Sequence, residues 1–125
     1  MIVWQLSDQL RLEVFRLTRG QGLEPDHKLR SQIDDAAGEV CRNIEEALGT
    51  DRDREFARFI RLARAAIHDI QNGLRVALTK RYVAEADVRE VRELLSRLYP
   101  ALSSLLAHSK VPLHQPLSLI APTSD

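Results

Sequence analysis

A chain of 125 residues is sized for one domain and can bury a core without disulfide or metal staples. Hydrophobic residues make up 44% and charged residues 29%, and only 5 Gly and 5 Pro interrupt the chain, so the composition points to an all-α fold and excludes a loop-rich or disordered one. The 18 basic and 18 acidic residues cancel, so no global field draws the protein to nucleic acid or to an anionic membrane, and such a partner must meet a local patch.

Helix one is predicted from Val3 to Thr18, ending at Gly20-Gln21-Gly22, where two glycines supply the backbone freedom that stops a helix. Its core stripe is Val3, Leu6, Leu10, Val14 and Leu17. A second apolar set, Trp4, Leu12 and Phe15, points away from that stripe at 100° per residue. A helix with two apolar faces calls for two neighbours, so this second face is the predicted oligomer interface. Pro25 cannot extend a helix backwards and Asp26 is a natural N-cap, so helix two starts there and ends at Gly49. Leu29, Ile33, Ala36, Ala37, Val40, Ile44 and Leu48 keep the helical period along it.

Thr50 with Asp53 forms a weak capping pattern for helix three, and Asp51, Asp53 and Glu55 suit the positive end of its dipole. The stripe Phe56, Phe59, Ile60, Ala63, Ile67, Ile70 and Leu74 carries it to about Thr79. Helix four starts near Glu85 with Val88, Val91, Leu94, Leu95, Leu98, Leu102, Leu105 and Leu106 on one face. Pro100 removes an amide from this run and predicts a bend, at a cost of roughly 3 kcal/mol if packing did not compensate. Four helices with short connections make an antiparallel up-down-up-down four-helix bundle over residues 1–109. Residues 110–125 form a non-helical C-terminal tail with Pro112, Pro116 and Pro122. Its apolar Val111, Leu113, Leu117, Leu119 and Ile120 suit packing on the bundle or on a neighbouring subunit.

Little in the sequence carries chemistry. Neither Glu-x-x-His nor His-x-x-x-His occurs, and His27, His68, His108 and His114 are scattered, so no metal site and no cofactor are expected. No Gly-x-Ser-x-Gly, phosphate-cradling glycine loop or dinucleotide fingerprint is present, and no catalytic residue is assigned. The single Cys41 excludes an intrachain disulfide and reads as a small core hydrophobe. Met1-Ile2-Val3-Trp4 lacks the basic region and long apolar stretch of a leader, and no run approaches the roughly 20 apolar residues of a membrane span, so a cytoplasmic protein is expected.

The basic residues of helix three stand out. Arg54, Arg58 and Arg61 lie at i, i+4, i+7, opposite Phe56, Ile60 and Ala63, as one ridge of guanidinium groups suited to bidentate phosphate contacts. Repeated around a ring, such a ridge multiplies a weak contact by avidity. Two readings of it stay open: a nucleic-acid surface, or arginines paired with Glu55, Asp51 or acids of another subunit. Helix two offers Asp34, Asp35, Glu39, Arg42, Glu45 and Glu46, the usual look of a solvated face. Asn43 either ties the helix two to helix three corner by hydrogen bonds or touches a ligand.

Leu29, Gln32, Ala36 and Ala37, then Asn43-Ile44 with Glu46 and Gly49, then Glu55-Phe56, Arg58-Phe59-Ile60-Arg61 and Ala63 form an ungapped block. It resembles the bacterial four-helix-bundle family also called 23S rRNA intervening-sequence or S23 proteins, some of which are encoded inside insertions in large-subunit rRNA genes. The resemblance extends weakly to Val3-Trp4-Gln5 and to the last helix. It implies an antiparallel bundle and, as in several members, a barrel-like homopentamer with a basic surface. A related accessory protein of diversity-generating retroelements binds nucleic acid and a reverse transcriptase. This chain departs from the pattern at Asp34-Asp35, where the typical member has two basic residues, and at Glu45-Glu46-Ala47, where relatives usually have Ala-Glu-Gly. Both departures move nucleic-acid binding off helix two and onto the helix three ridge. The expectation is a non-enzymatic homo-oligomer, pentameric by resemblance, that binds RNA or a ribonucleoprotein through Arg54, Arg58 and Arg61 and self-associates through Trp4, Leu12 and Phe15. The alternative is a protein interaction scaffold with no nucleic-acid ligand.

Overall fold

The computed structural model describes residues 2–108 as four α-helices: α1 (Ile2–Thr18), α2 (His27–Gly49), α3 (Asp53–Thr79) and α4 (Glu85–Ala107). The predicted tail, residues 110–125, lies outside the described residues. Each helix packs on the next and α1 returns to α4, closing a four-sided bundle. Cross-links fix the antiparallel sense. Cys41, late in α2, donates to the backbone oxygen of Ser7, early in α1, at 3.2 Å, while Thr18 at the end of α1 donates to Asp34 at 2.7 Å. Across the bundle Arg64 of α3 meets Tyr99 of α4. The interior holds the four stripes, with Leu10, Ile33, Ile60, Ile67, Leu98 and Leu102 fully buried. Leu17, Phe56, Phe59 and Leu105 close the edges half-buried. Leu48 leaves the stripe at the end of α2 and is exposed, where the expectation placed it in the core.

Asp26 caps α2 as the sequence implies, accepting from the Leu29 amide at 3.1 Å. Thr50 does not cap α3. It closes α2 in an extended conformation, its hydroxyl accepting from the Arg52 amide, and Arg52 takes the cap position without a side-chain bond. The start of α4 is held by Asp87, whose carboxylate accepts from the Ala84 amide at 2.8 Å, half of a capping box. Helix α4 runs unbroken through Pro100.

The turn after α1 differs from its expected cause. Neither Gly20 nor Gly22 has a positive φ. A Cβ on Gly22 would instead sit 1.9 Å from the carbonyl oxygen of Tyr82, so the glycine is there to let two loops touch. Leu23, fully buried, anchors that turn. Helix α3 ends in a Schellman arrangement: the Tyr82 amide bonds the Ala77 oxygen and the Arg81 amide bonds the Leu78 oxygen, with Arg81 at φ 60° in the region that favours glycine. Tyr82 then donates its hydroxyl to Asp26 at 2.9 Å, tying the α3–α4 turn to the start of α2.

Candidate nucleic-acid interface

Arg54, Arg58 and Arg61 line the outward face of α3, with Arg58 exposed and the other two half-exposed. The Arg58 guanidinium lies 4.7 Å over the Phe59 ring, and Arg54 and Arg61 are each engaged with a neighbour. Opposite them Ile60 and Ala63 are buried, as the spacing requires. The ridge is therefore a real face of one helix, and its chemistry is that of planar guanidinium groups held on a rigid element.

Charges on the two sides of α3 differ in sign. The groove between α2 and α3, about 480 Å³, is lined by Asp35, Glu39 and Asp69 with Gln32 and Asn72. Arg42 donates to Glu39, and that bond with its charge holds the Glu39 carboxyl below the usual carboxylate range. Asn43 donates to the Glu39 backbone oxygen at 2.8 Å and to its carboxylate at 3.2 Å. Both bonds stay within α2, so its side chain does not tie the corner to α3. The groove between α3 and α4, about 550 Å³, is lined instead by Gln71, Arg75, Arg92, Ser96 and Tyr99 over Leu74 and Leu95.

The ion pairs follow the same division. Every arginine from α1 through α2 has a carboxylate within reach: Arg11 with Asp8, Arg16 with Glu13, Arg19 with Asp34, Arg30 with Glu24 and Arg42 with Glu39. On α3, no carboxylate pairs with Arg58, Arg64 or Arg75 among the described residues. Asp34 is half-buried and turned to α1, bonded by Thr18 and Arg19, so of the Asp34-Asp35 pair only Asp35 adds charge to the outer surface of α2.

Trp4, Leu12 and Phe15 are 44%, 52% and 53% exposed, on the side of α1 away from the core, with Arg19 stacked 3.8 Å over the Phe15 ring. No element of the described chain covers them. Cys41 donates its thiol to the Ser7 carbonyl, and burial pushes its pKa up, the state of a packed thiol and not of a nucleophile. No group of three or more metal-ligating side chains occurs among the described residues. No helix of the described residues is long and apolar enough to cross a membrane.

Arg64, Arg75, Arg92 and Tyr99 did not figure in the sequence analysis, and His68 figured there only as one of four scattered histidines. Arg61, Arg64, His68 and Arg75 fall at i, i+3, i+7, i+14, so the basic ridge winds on toward α4, a continuation the spacing contains.

A family model described as 23S rRNA-intervening sequence protein matches residues 1–104. No curated protein matches the chain.

Proposed function

The chain belongs to the 23S rRNA-intervening sequence protein family, and from that membership and the layout of charge we propose a non-enzymatic, cytoplasmic homo-oligomer that binds RNA or a ribonucleoprotein. The observation that carries the reading is the ridge of Arg54, Arg58 and Arg61 along one face of a rigid helix, with Arg58 exposed and stacked only on the Phe59 ring. Phosphates bind by releasing condensed counterions, so clustered guanidinium groups outweigh a net charge of zero. The exposed Trp4, Leu12 and Phe15 supply the apolar area for subunit contacts, and a ring built through them, a pentamer by family likeness, would repeat the ridge.

Anisotropy of a labelled structured RNA tests the reading. Three phosphate contacts per subunit give a log-log salt slope of about −2 to −3, so affinity falls roughly 15- to 60-fold per engaged subunit between about 50 and about 200 mM salt. Arg54→Glu with Arg58→Glu and Arg61→Glu should abolish the binding. A slope near zero, or unchanged affinity in the triple variant, refutes it.

A second reading, a protein scaffold without a nucleic-acid ligand, is favoured by the same exposed aromatic face. Trp4→Ala with Phe15→Ala separates the roles: light scattering should show a smaller particle if the face joins subunits, and an unchanged particle if it receives a different protein.

A further inference from the structure

The geometry points to the α3–α4 groove as a second phosphate-binding site, beyond Arg54, Arg58 and Arg61 along the same stripe of α3 and completed by α4. Arg75 lines it from α3 and Arg92 from α4, with Ser96 and Tyr99 further along the α4 wall and Leu74 and Leu95 as its floor. Arg64 stands behind Tyr99. It donates to the phenol oxygen at 2.8 Å and lies 4.8 Å over the ring, while its Nε is buried with no hydrogen-bond partner. His68 packs edge-on to the same ring, with Nε2 3.4 Å from the phenol oxygen.

Two features make this more than a patch of surface charge. The first is the neutrality of the partners. Arg75 bonds only to the amide oxygen of Asn72, at 3.1 Å, and Arg64 only to a phenol. A guanidinium bonded to neutral groups keeps its charge available, and the strong partners still missing are anionic oxygens. Glu85, paired with Arg92, is the one carboxylate bonded to these three arginines among the described residues. The second is shape. An apolar floor lowers the local dielectric beneath the cations and strengthens their field in the groove. Tyr99 already accepts from Arg64, so its own proton is the one it has to give, while the Ser96 hydroxyl is engaged, donating to the Glu93 backbone oxygen at 2.7 Å. Two guanidinium groups with a phenol donor match a phosphate better than a carboxylate, which offers fewer oxygens.

The phosphate belongs to an RNA backbone, an assignment that rests on the reading above; the site itself does not. Titration calorimetry with pyrophosphate, and anisotropy with a single-stranded RNA, are run on the full chain at low salt. The variant is Arg75→Gln with Arg92→Gln, two exposed side chains whose loss leaves the core intact; circular dichroism checks the fold. The expected result is pyrophosphate binding weakened at least tenfold by this variant and left within about twofold by the ridge triple variant. RNA affinity falling in parallel assigns the phosphate to RNA. RNA affinity unchanged assigns it to a free phosphorylated small molecule at the same groove. If the wild type ignores pyrophosphate but the variant still weakens RNA, the groove acts only as one contact along a strand. Pyrophosphate bound equally by variant and wild type, or neither ligand responding to the variant, overturns the site. A ridge triple variant that keeps full RNA affinity sinks the ridge instead and leaves the groove standing.

Discussion

The two seams that flank α3 are built on opposite plans. Against α2 the helix presents small residues: Gly73 faces Ile33 so closely that a Cβ there would meet the Ile33 Cγ1 at 2.5 Å, and Ala36, Ala37 and Ala66 are buried in the same interior. Against α4 it presents Arg64 and His68 on the broad ring of Tyr99, and Arg75 further along the same groove. The tight seam carries Asp35, Glu39 and Asp69 at its mouth, and the wider one carries arginines. A single helix thus separates an acidic groove from a basic one, and the zero net charge of the chain conceals that division. The lesson is that close backbone packing and basic surface charge are allotted to different sides of one element. Small residues bring α2 and α3 close at Gly73 and Ile33, while the larger side chains of Arg64 and Tyr99 meet between α3 and α4.

The strongest way to break the contrast is to fill the tight seam. Gly73→Ala should destabilise the bundle by about 1–3 kcal/mol in urea unfolding, because the new methyl overlaps a buried, fully packed Ile33. The helical propensity of alanine offsets only about 1 kcal/mol of that. Combining it with Ile33→Ala, the double variant should lose less than the sum of the two single variants, since the clash and the cavity share one space. Strict additivity would show that the seam has slack.

A smaller effect belongs to the other seam. Tyr99→Phe removes the oxygen that Arg64 bonds but keeps the ring beneath its guanidinium, so a loss of about 1 kcal/mol is expected. By contrast, Arg75→Gln and Arg92→Gln should leave the unfolding midpoint unchanged, since both side chains are exposed. A large loss in that pair would mean the groove serves packing, and the contrast between the seams would collapse.

The fold was nearly all legible because burial and helical period are the same information along α1 to α4. Ile33, Ile60 and Leu98 each fall where 100° per residue places them. Caps were read less well. Asp26 announces itself, but Thr50 failed because a cap depends on backbone angles, and the chain here is extended at Thr50 and again at Arg52. The two glycines after α1 were recognised as a stop for the wrong reason, since the contact with Tyr82 joins residues 60 positions apart. The layout of the candidate site was half legible. A one-helix spacing reveals Arg54, Arg58 and Arg61, whereas the groove needs Arg75 and Arg92 to face each other across two helices, and no single-helix pattern contains that. Asp34 shows the same limit: its spacing puts it on the polar side of α2, and only the packing of α1 turns it into an interhelical tie to Thr18 and Arg19.

Both seams close at one end of the bundle, where Asp26 joins the start of α2 to the turn that leaves α3. Its carboxylate accepts from the Leu29 amide and the Tyr82 hydroxyl, with Lys80 at 3.9 Å, and these hold its pKa below the usual carboxylate value, the Leu29 bond contributing most. The folded protein therefore releases this proton at a lower pH than the unfolded chain does. The resulting stability is fully present above the unfolded pKa, near 4, and is lost as pH falls through the folded one. Asp26→Asn keeps a capping oxygen but cannot carry the charge. In urea unfolding the variant should be less stable than the wild type at about pH 7, and the gap should narrow progressively as pH falls below about 4. A gap that persists unchanged into acid would mean that the tie is made by shape and hydrogen bonding alone, with the charge on Asp26 adding nothing to the junction of the two seams.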